Sequence, residues 1–115
     1  MKKIKLINVG GTITTDVVSS NTDTKELRAG ELTGEDLIMR SGLDELPIDI
    51  SVENYLNIGS REMTLNNMKE LGDKVQEIVA SGEFSGIVIT HGTDTMEETA
   101  YFLDLMLSVD IPVII

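Results

Sequence analysis

Cysteine is absent from the 115 residues, and histidine occurs once, as His91. Without thiolates or a second imidazole the chain can build neither a disulfide framework nor a structural zinc centre. Basic residues are scarce: nine Lys and Arg against 20 Asp and Glu leave a formal net charge of −11, with Lys2-Lys3 the longest basic run. A surface of that sign repels phosphate backbones and anionic lipid heads, so neither nucleic acid nor membrane is an expected partner. Long apolar runs are missing too. None approaches the roughly 18 residues needed to span a bilayer. The start Met1-Lys2-Lys3, which opens like a secretion signal, is interrupted by Lys5 and Asn8, so the reading is a cytoplasmic protein. What is present is ordinary for a globular chain, with 41% hydrophobic and 25% charged residues. Surface scaling lets about two thirds of the unfolded surface be buried, enough for one modest domain.

The hydrophobic pattern alternates between short branched runs and amphipathic stretches. Ile4 to Val9 reads as a strand buried on both faces and ended by Gly10-Gly11. Thr14 to Arg28 shows little periodicity and reads as a long loop, either functional or mobile, able to act as a lid. A short helix capped by Thr33 or Gly34 runs through Arg40, with Gly42 after its end. Ile48 to Ile58 is a second strand that stops at Gly59-Ser60. Thr64 then opens a helix whose apolar face is Met68, Leu71, Val75, Ile78 and Val79, stopped by Gly82. Ile87 to Ile89 is a third strand, and Met96, Ala100, Leu103 and Leu107 mark a further helix. Pro112 to Ile115 begins a fourth strand. Strands alternating with helices predict an α/β fold, a parallel sheet flanked by helices on both faces and built by right-handed crossovers. The sequence stops inside that fourth strand, and the expectation is a longer polypeptide cut at this point.

In open parallel sheets ligands bind beyond the carboxyl ends of the strands. Three such ends carry Gly10-Gly11-Thr12, Gly59-Ser60-Arg61 and Gly92-Thr93-Asp94. Each pairs glycine, which lets a ligand approach the backbone, with a hydroxyl that can donate or accept. Alone, Gly-Gly after a strand is a turn signal; the repetition is what points to a site. A phosphate cradle fits poorly, because both the Walker lysine spacing and the Gly-x-Gly-x-x-Gly spacing are missing. Thr90 reads as a strand-end residue, Thr95 as a helix cap, and His91 as a shaper of the turn. Glu97-Glu98 form a solvated first turn, and Met68, Met96 and Met106 fill the core.

The stretch Ile89-Thr90-His91-Gly92-Thr93-Asp94-Thr95-Met96-Glu97-Glu98-Thr99-Ala100, together with Gly10-Gly11-Thr12-Ile13, resembles the bacterial-type asparaginase family. The resemblance covers residues 1–115 as one N-terminal α/β domain, the N-terminal part of an asparaginase-like Rossmann-type domain in a longer family polypeptide. It implies hydrolysis of the side-chain amide of L-asparagine, or of L-glutamine, to the acid and ammonia, with no cofactor and no metal. Thr12 matches the family's nucleophile, Thr93 the second threonine that works with a lysine, and Asp94 the aspartate that holds the α-amino group. Ser60 falls where a serine binds the α-carboxylate, with Gly11, Gly59, Arg61 and Gly92 around the substrate. A small amino-acid amide as substrate and a homo-oligomer of the full-length protein follow from the same resemblance. The chemistry agrees: a threonine hydroxyl needs an adjacent base, and a carboxylate suits an ammonium.

The departures bear on function. Val9 stands where the family has threonine, Leu27 where many lids carry tyrosine, and Arg61 where glutamine is usual. The family's catalytic lysine lies beyond residue 115, and none of Lys2, Lys3, Lys5, Lys25, Lys69 or Lys74 sits on a strand end. A binding module that keeps the amino-acid pocket without hydrolysis is therefore the alternative. An amidotransferase subunit acting on transfer RNA is disfavoured by the acidic surface and by Met1 lying just before the first strand.

Overall fold

A computed structural model describes residues 1–14, 16–19, 25–28 and 32–115. Strands β1 (Lys3–Gly10), β4 (Asp49–Ile58), β5 (Gly86–Thr90) and β6 (Val113–Ile114) form one parallel sheet in the order β4-β1-β5-β6. A separate antiparallel pair joins β2 (Asp16–Ser19) to β3 (Lys25–Arg28). This pair corrects the reading of 16–19 and 25–28 as loop, while residues 15 and 20–24 of that segment lie outside the described residues. The strands are four residues each and pair only with each other, so no apolar run announces them. The lid position Leu27 lies in β3; a lid role falls outside what is described of that segment.

Helix α1 (Gly34–Ser41) starts at a reciprocal cap, in which the Asp36 amide donates to Thr33 Oγ1 and the Thr33 amide donates to the Asp36 carboxylate. Helix α2 (Leu65–Ala80) starts in the same way on Thr64 and Asn67. Helix α3 (Met96–Met106) has Thr95 at its N-cap position, but that hydroxyl makes no cap bond. It donates instead to the Ser60 carbonyl at 2.6 Å, so the expectation of a simple cap is replaced by a tie between loops.

Side-chain alternation along β1 assigns the helices to faces. Ile7 and Val9 join Ile87 and Ile89 of β5 in one buried cluster with Met68, Leu71, Val75 and Ile78 of α2 and Leu103 of α3. Asn8 points the other way, toward the start of α1, where Gly34 is packed on Val52. Helices thus lie on both faces, as the pattern predicted, with α1 packed chiefly on β1 and β4. On its side of the sheet Val88 and Ile114 stay exposed. Met106 is also exposed, at 57%, which corrects its assignment to the core. It sits in the last turn of a helix that is apolar on several sides, with Tyr101 and Leu105 likewise in solvent.

Because Leu71 is fully buried and Leu65 is 73% exposed on the same helix, truncation should separate them cleanly. Leu71→Ala should cost about 2–5 kcal/mol and Leu65→Ala less than about 0.5 kcal/mol, read from urea unfolding of the two variants.

Candidate functional site

Three loops leave the carboxyl ends of β1, β4 and β5 and touch. Gly10 and Gly11 both have positive φ, +110° and +85°, a backbone that side chains disfavour. A Cβ on Gly11 would lie 2.5 Å from the Cα and N of Gly92. One on Gly92 would lie 2.7 Å from Cβ and 2.8 Å from Oγ of Ser60. Gly11, Gly92 and Ser60 are buried against each other, whereas Thr12, Thr93, Asp94 and Arg61 are exposed at the rim and Gly59 is half-buried. Consecutive Cα atoms are about 3.8 Å apart, so Thr12 and Thr93, each next to the glycine contact, have Cα atoms no more than about 12 Å apart.

Hydrogen bonds fix each loop. The amide and hydroxyl of Thr14 both donate to the Gly11 carbonyl, at 3.1 and 2.7 Å, closing the turn that presents Thr12. Ser60 is stitched to the β5 loop twice: its Oγ accepts the Asp94 amide at 2.8 Å, and its carbonyl accepts the Thr95 hydroxyl. Used as an acceptor, the Ser60 hydroxyl keeps its own proton for an anionic group. His91 Nδ1 lies 2.6 Å from the Gly92 carbonyl, which can only accept, so that nitrogen carries the proton. Nε2 then accepts the Thr99 hydroxyl at 2.9 Å. Both ring nitrogens are spent on the turn, as the residue pattern suggested, and His91 offers no base to the rim.

Arg61 makes no ion pair among the described residues. Its neighbour Glu62, a natural partner, instead accepts the Gly59 amide at 3.1 Å, leaving the guanidinium to solvent. Lys3 and Lys5 lie near the start of β1, at the far end of the sheet, and Lys69 and Lys74 lie within α2. Each of these four pairs with a carboxylate away from the rim, Lys3 with Glu83, Lys5 and Lys74 with Glu53, and Lys69 with Asp73. Among the described residues no group of three or more His, Cys, Asp or Glu is placed to hold a metal.

A groove of about 300 Å³ beside α3 is lined by apolar side chains, Leu107, Val109, Val113 and Ile115 among them, with Asp104 as its one charged group, and by none of the candidate residues. It lacks convergent polar groups for an amino acid.

The residue missed by sequence reasoning is Asn8. It is 5% exposed, and its Oδ1 accepts both the Gly10 amide at 3.2 Å and the Thr90 hydroxyl at 2.9 Å. An amide inside an otherwise branched apolar strand was the available signal.

The family model for the N-terminal asparaginase domain matches residues 3–115. An L-asparaginase of Bacillus licheniformis is 37% identical over 99% of this chain and 34% of its own length. A glutaminase-asparaginase of Pseudomonas fluorescens biotype A is 39% identical over 98% and 32%. The crystal structure of a probable cytoplasmic L-asparaginase from Campylobacter jejuni superposes with a TM-score of 0.84 at 38% identity, covering 98% of this chain and 34% of that one. The chain thus spans about a third of the length of these relatives.

The glycine contact can be tested without any ligand. Gly92→Ala has normal φ but drives a methyl into Ser60, whose hydroxyl is held by Asp94, and should destabilise by about 1–3 kcal/mol. At Gly59 the nearest atom to a new Cβ is 3.9 Å away, so Gly59→Ala should stay within about 0.5 kcal/mol of wild type in the same urea titration.

Proposed function

The chain belongs to the asparaginase family, and on that premise we propose that its strand-end rim is the N-terminal share of an amidohydrolase site acting on L-asparagine or L-glutamine. One observation carries the reading: Gly11, Gly92 and Ser60 pack together with the exposed hydroxyls of Thr12 and Thr93 beside them. Thr12 Oγ adds to the side-chain carbonyl carbon of the substrate. The hydroxyl proton passes through Thr93 and a lysine outside residues 1–115 to the leaving nitrogen, which departs as ammonia. Water then attacks the acyl-threonine ester, giving the free acid and restoring the hydroxyl. Asp94 takes the α-ammonium, and the free proton of the Ser60 hydroxyl goes to the α-carboxylate.

The names of the relatives, L-asparaginase and glutaminase-asparaginase, support both amides as substrates. The Campylobacter protein is described as cytoplasmic, and no described helix is long and apolar enough to cross a membrane. The likeness to the Campylobacter protein supports a cytoplasmic location for this one. A homo-oligomer of the longer polypeptide is part of the proposal and rests on the family resemblance.

In the polypeptide as its gene encodes it, Thr12→Ala should lower ammonia release at least about a thousandfold, while asparagine binding by calorimetry changes only a few-fold. Retained turnover would remove Thr12 from the reaction. Wild type that binds asparagine and releases no ammonia would favour the binding module.

Arg61 brings full charge and a planar fork of donors where an amide could only hydrogen-bond. Arg61→Gln should weaken binding of the carboxylate it contacts by about 1.5–3 kcal/mol, roughly ten- to a hundred-fold. Comparing asparagine, glutamine and N-substituted diacids identifies that carboxylate. Unchanged binding of all of them would place Arg61 outside the pocket.

A further inference from the structure

Directly below the rim, Asn54 of β4, Asn8 of β1 and Thr90 of β5 stand opposite one another on three adjacent strands. Their polar atoms form one chain. The Thr90 hydroxyl donates to Asn8 Oδ1, and Asn8 Nδ2 donates to Asn54 Oδ1 at 3.1 Å. Asn54 Oδ1 also accepts the Gly34 amide at 2.8 Å, while Asn54 Nδ2 donates to the Glu35 carboxylate at 2.8 Å. The amide orientations are forced at both asparagines, because backbone N–H groups can only donate and an ionised carboxylate can only accept. Asn8 Oδ1 further accepts the amide of Gly10, two residues on, an Asx-turn that bends the strand into the left-handed glycines.

Burying an amide is costly unless it is satisfied, and a branched apolar residue would suit β1 if packing were all that mattered. Asn8 Oδ1 is instead shared between the turn that leads to Thr12, through the Gly10 amide two residues on, and the strand end that leads to Thr93, through Thr90, 82 residues from Asn8 in the chain. We propose that Asn8 is a positioning residue: its side chain locks the Gly10–Gly11–Thr12 turn to the Thr90–Thr93 strand end and so sets the distance between the two hydroxyls. The proposal rests on the amidohydrolase reading for its catalytic consequence. A misplacement of about 1 Å in a reacting group can cost on the order of a hundredfold in rate. Loss of the lock therefore appears in kcat, with substrate still held by Ser60 and Asp94.

The test uses the polypeptide as its gene encodes it, with Asn8→Leu, Asn8→Ser and Thr90→Val. Asn8→Leu should lower kcat roughly ten- to a hundred-fold with KM within about twofold. Asn8→Ser, whose hydroxyl can still accept the Gly10 amide, should recover part of that loss. Amide hydrogen exchange supplies a readout independent of turnover: peptides covering 8–14 and 90–96 should both exchange faster in Asn8→Leu. Thr90→Val, which removes only the cross-strand bond, should shift both peptides in the same direction and lower kcat, and it decides the matter should Asn8→Leu not fold. Unchanged kcat, or faster exchange confined to 8–14, overturns the proposal. A wild type that releases no ammonia from either amide defeats the amidohydrolase reading instead, and the exchange measurements still judge the coupling.

Discussion

A side chain on Gly11 would collide with the backbone of Gly92, and one on Gly92 would collide with Ser60. That absence of side-chain atoms lets three loops from three strands occupy one small volume. β1 and β5 are neighbours, so their loops leave the sheet side by side. β4 lies beyond β1, and Ser60 must cross the end of β1 to reach Gly92. The pairing of β1 with β4 makes this possible: Asn8 pairs with Asn54 and Gly10 with Ile58, so that Val9 alone faces Tyr55, Leu56 and Asn57. The extra length of β4 carries its loop over the strand that Gly10 has already bent away. Charge, hydroxyls and turn geometry at the rim all follow from this steric permission.

What could be read from the residues follows from where the period is strong. In α2 the buried positions Met68, Leu71, Val75 and Ile78 repeat at helical spacing, and one face meets the sheet, so the pattern and the packing coincide. In α3 the apolar residues point several ways. The face marked by Leu103 and Leu107 meets the core as the spacing predicted, while Tyr101, Leu105 and Met106 are exposed, so the period placed the face but an apolar residue off it, Met106, was misassigned to the core. The β2–β3 pair was illegible because its four-residue strands pair locally and join no larger sheet. At the rim, Gly-Gly-Thr, Gly-Ser and His-Gly-Thr-Asp could be read because glycine and hydroxyl residues at strand ends carry a mechanism. Asn8 stood out only as an amide among apolar neighbours, and its role could not be read, because that role lies in partners from β4 and β5 that adjoin it only after the sheet has formed.

The polar network beneath the rim is built almost wholly from neutral groups. Asn8, Thr14, Ser60 and Thr99 are buried, Thr90 and Thr95 half-buried and Asn54 exposed at its edge, and together they supply amides and hydroxyls in a chain whose formal charge is −11. Neutral donors and acceptors avoid the desolvation penalty of buried ions, and among the described residues no buried side-chain polar atom lacks a partner. The chain of bonds meets a charge at its solvent-facing end, Glu35. There the hydrogen bond from Asn54 holds the carboxyl below its ordinary pKa. A carboxyl whose pKa falls on folding adds stability above its unfolded value and loses that contribution as the pH drops through the lowered one. At neutral pH Glu35 is therefore ionised and accepts from Asn54 Nδ2. That bond keeps Asn54 Oδ1 turned toward Asn8 and Gly34, and the orientation of the amide pair is anchored by an exposed carboxylate while the buried part of the lock carries no charge.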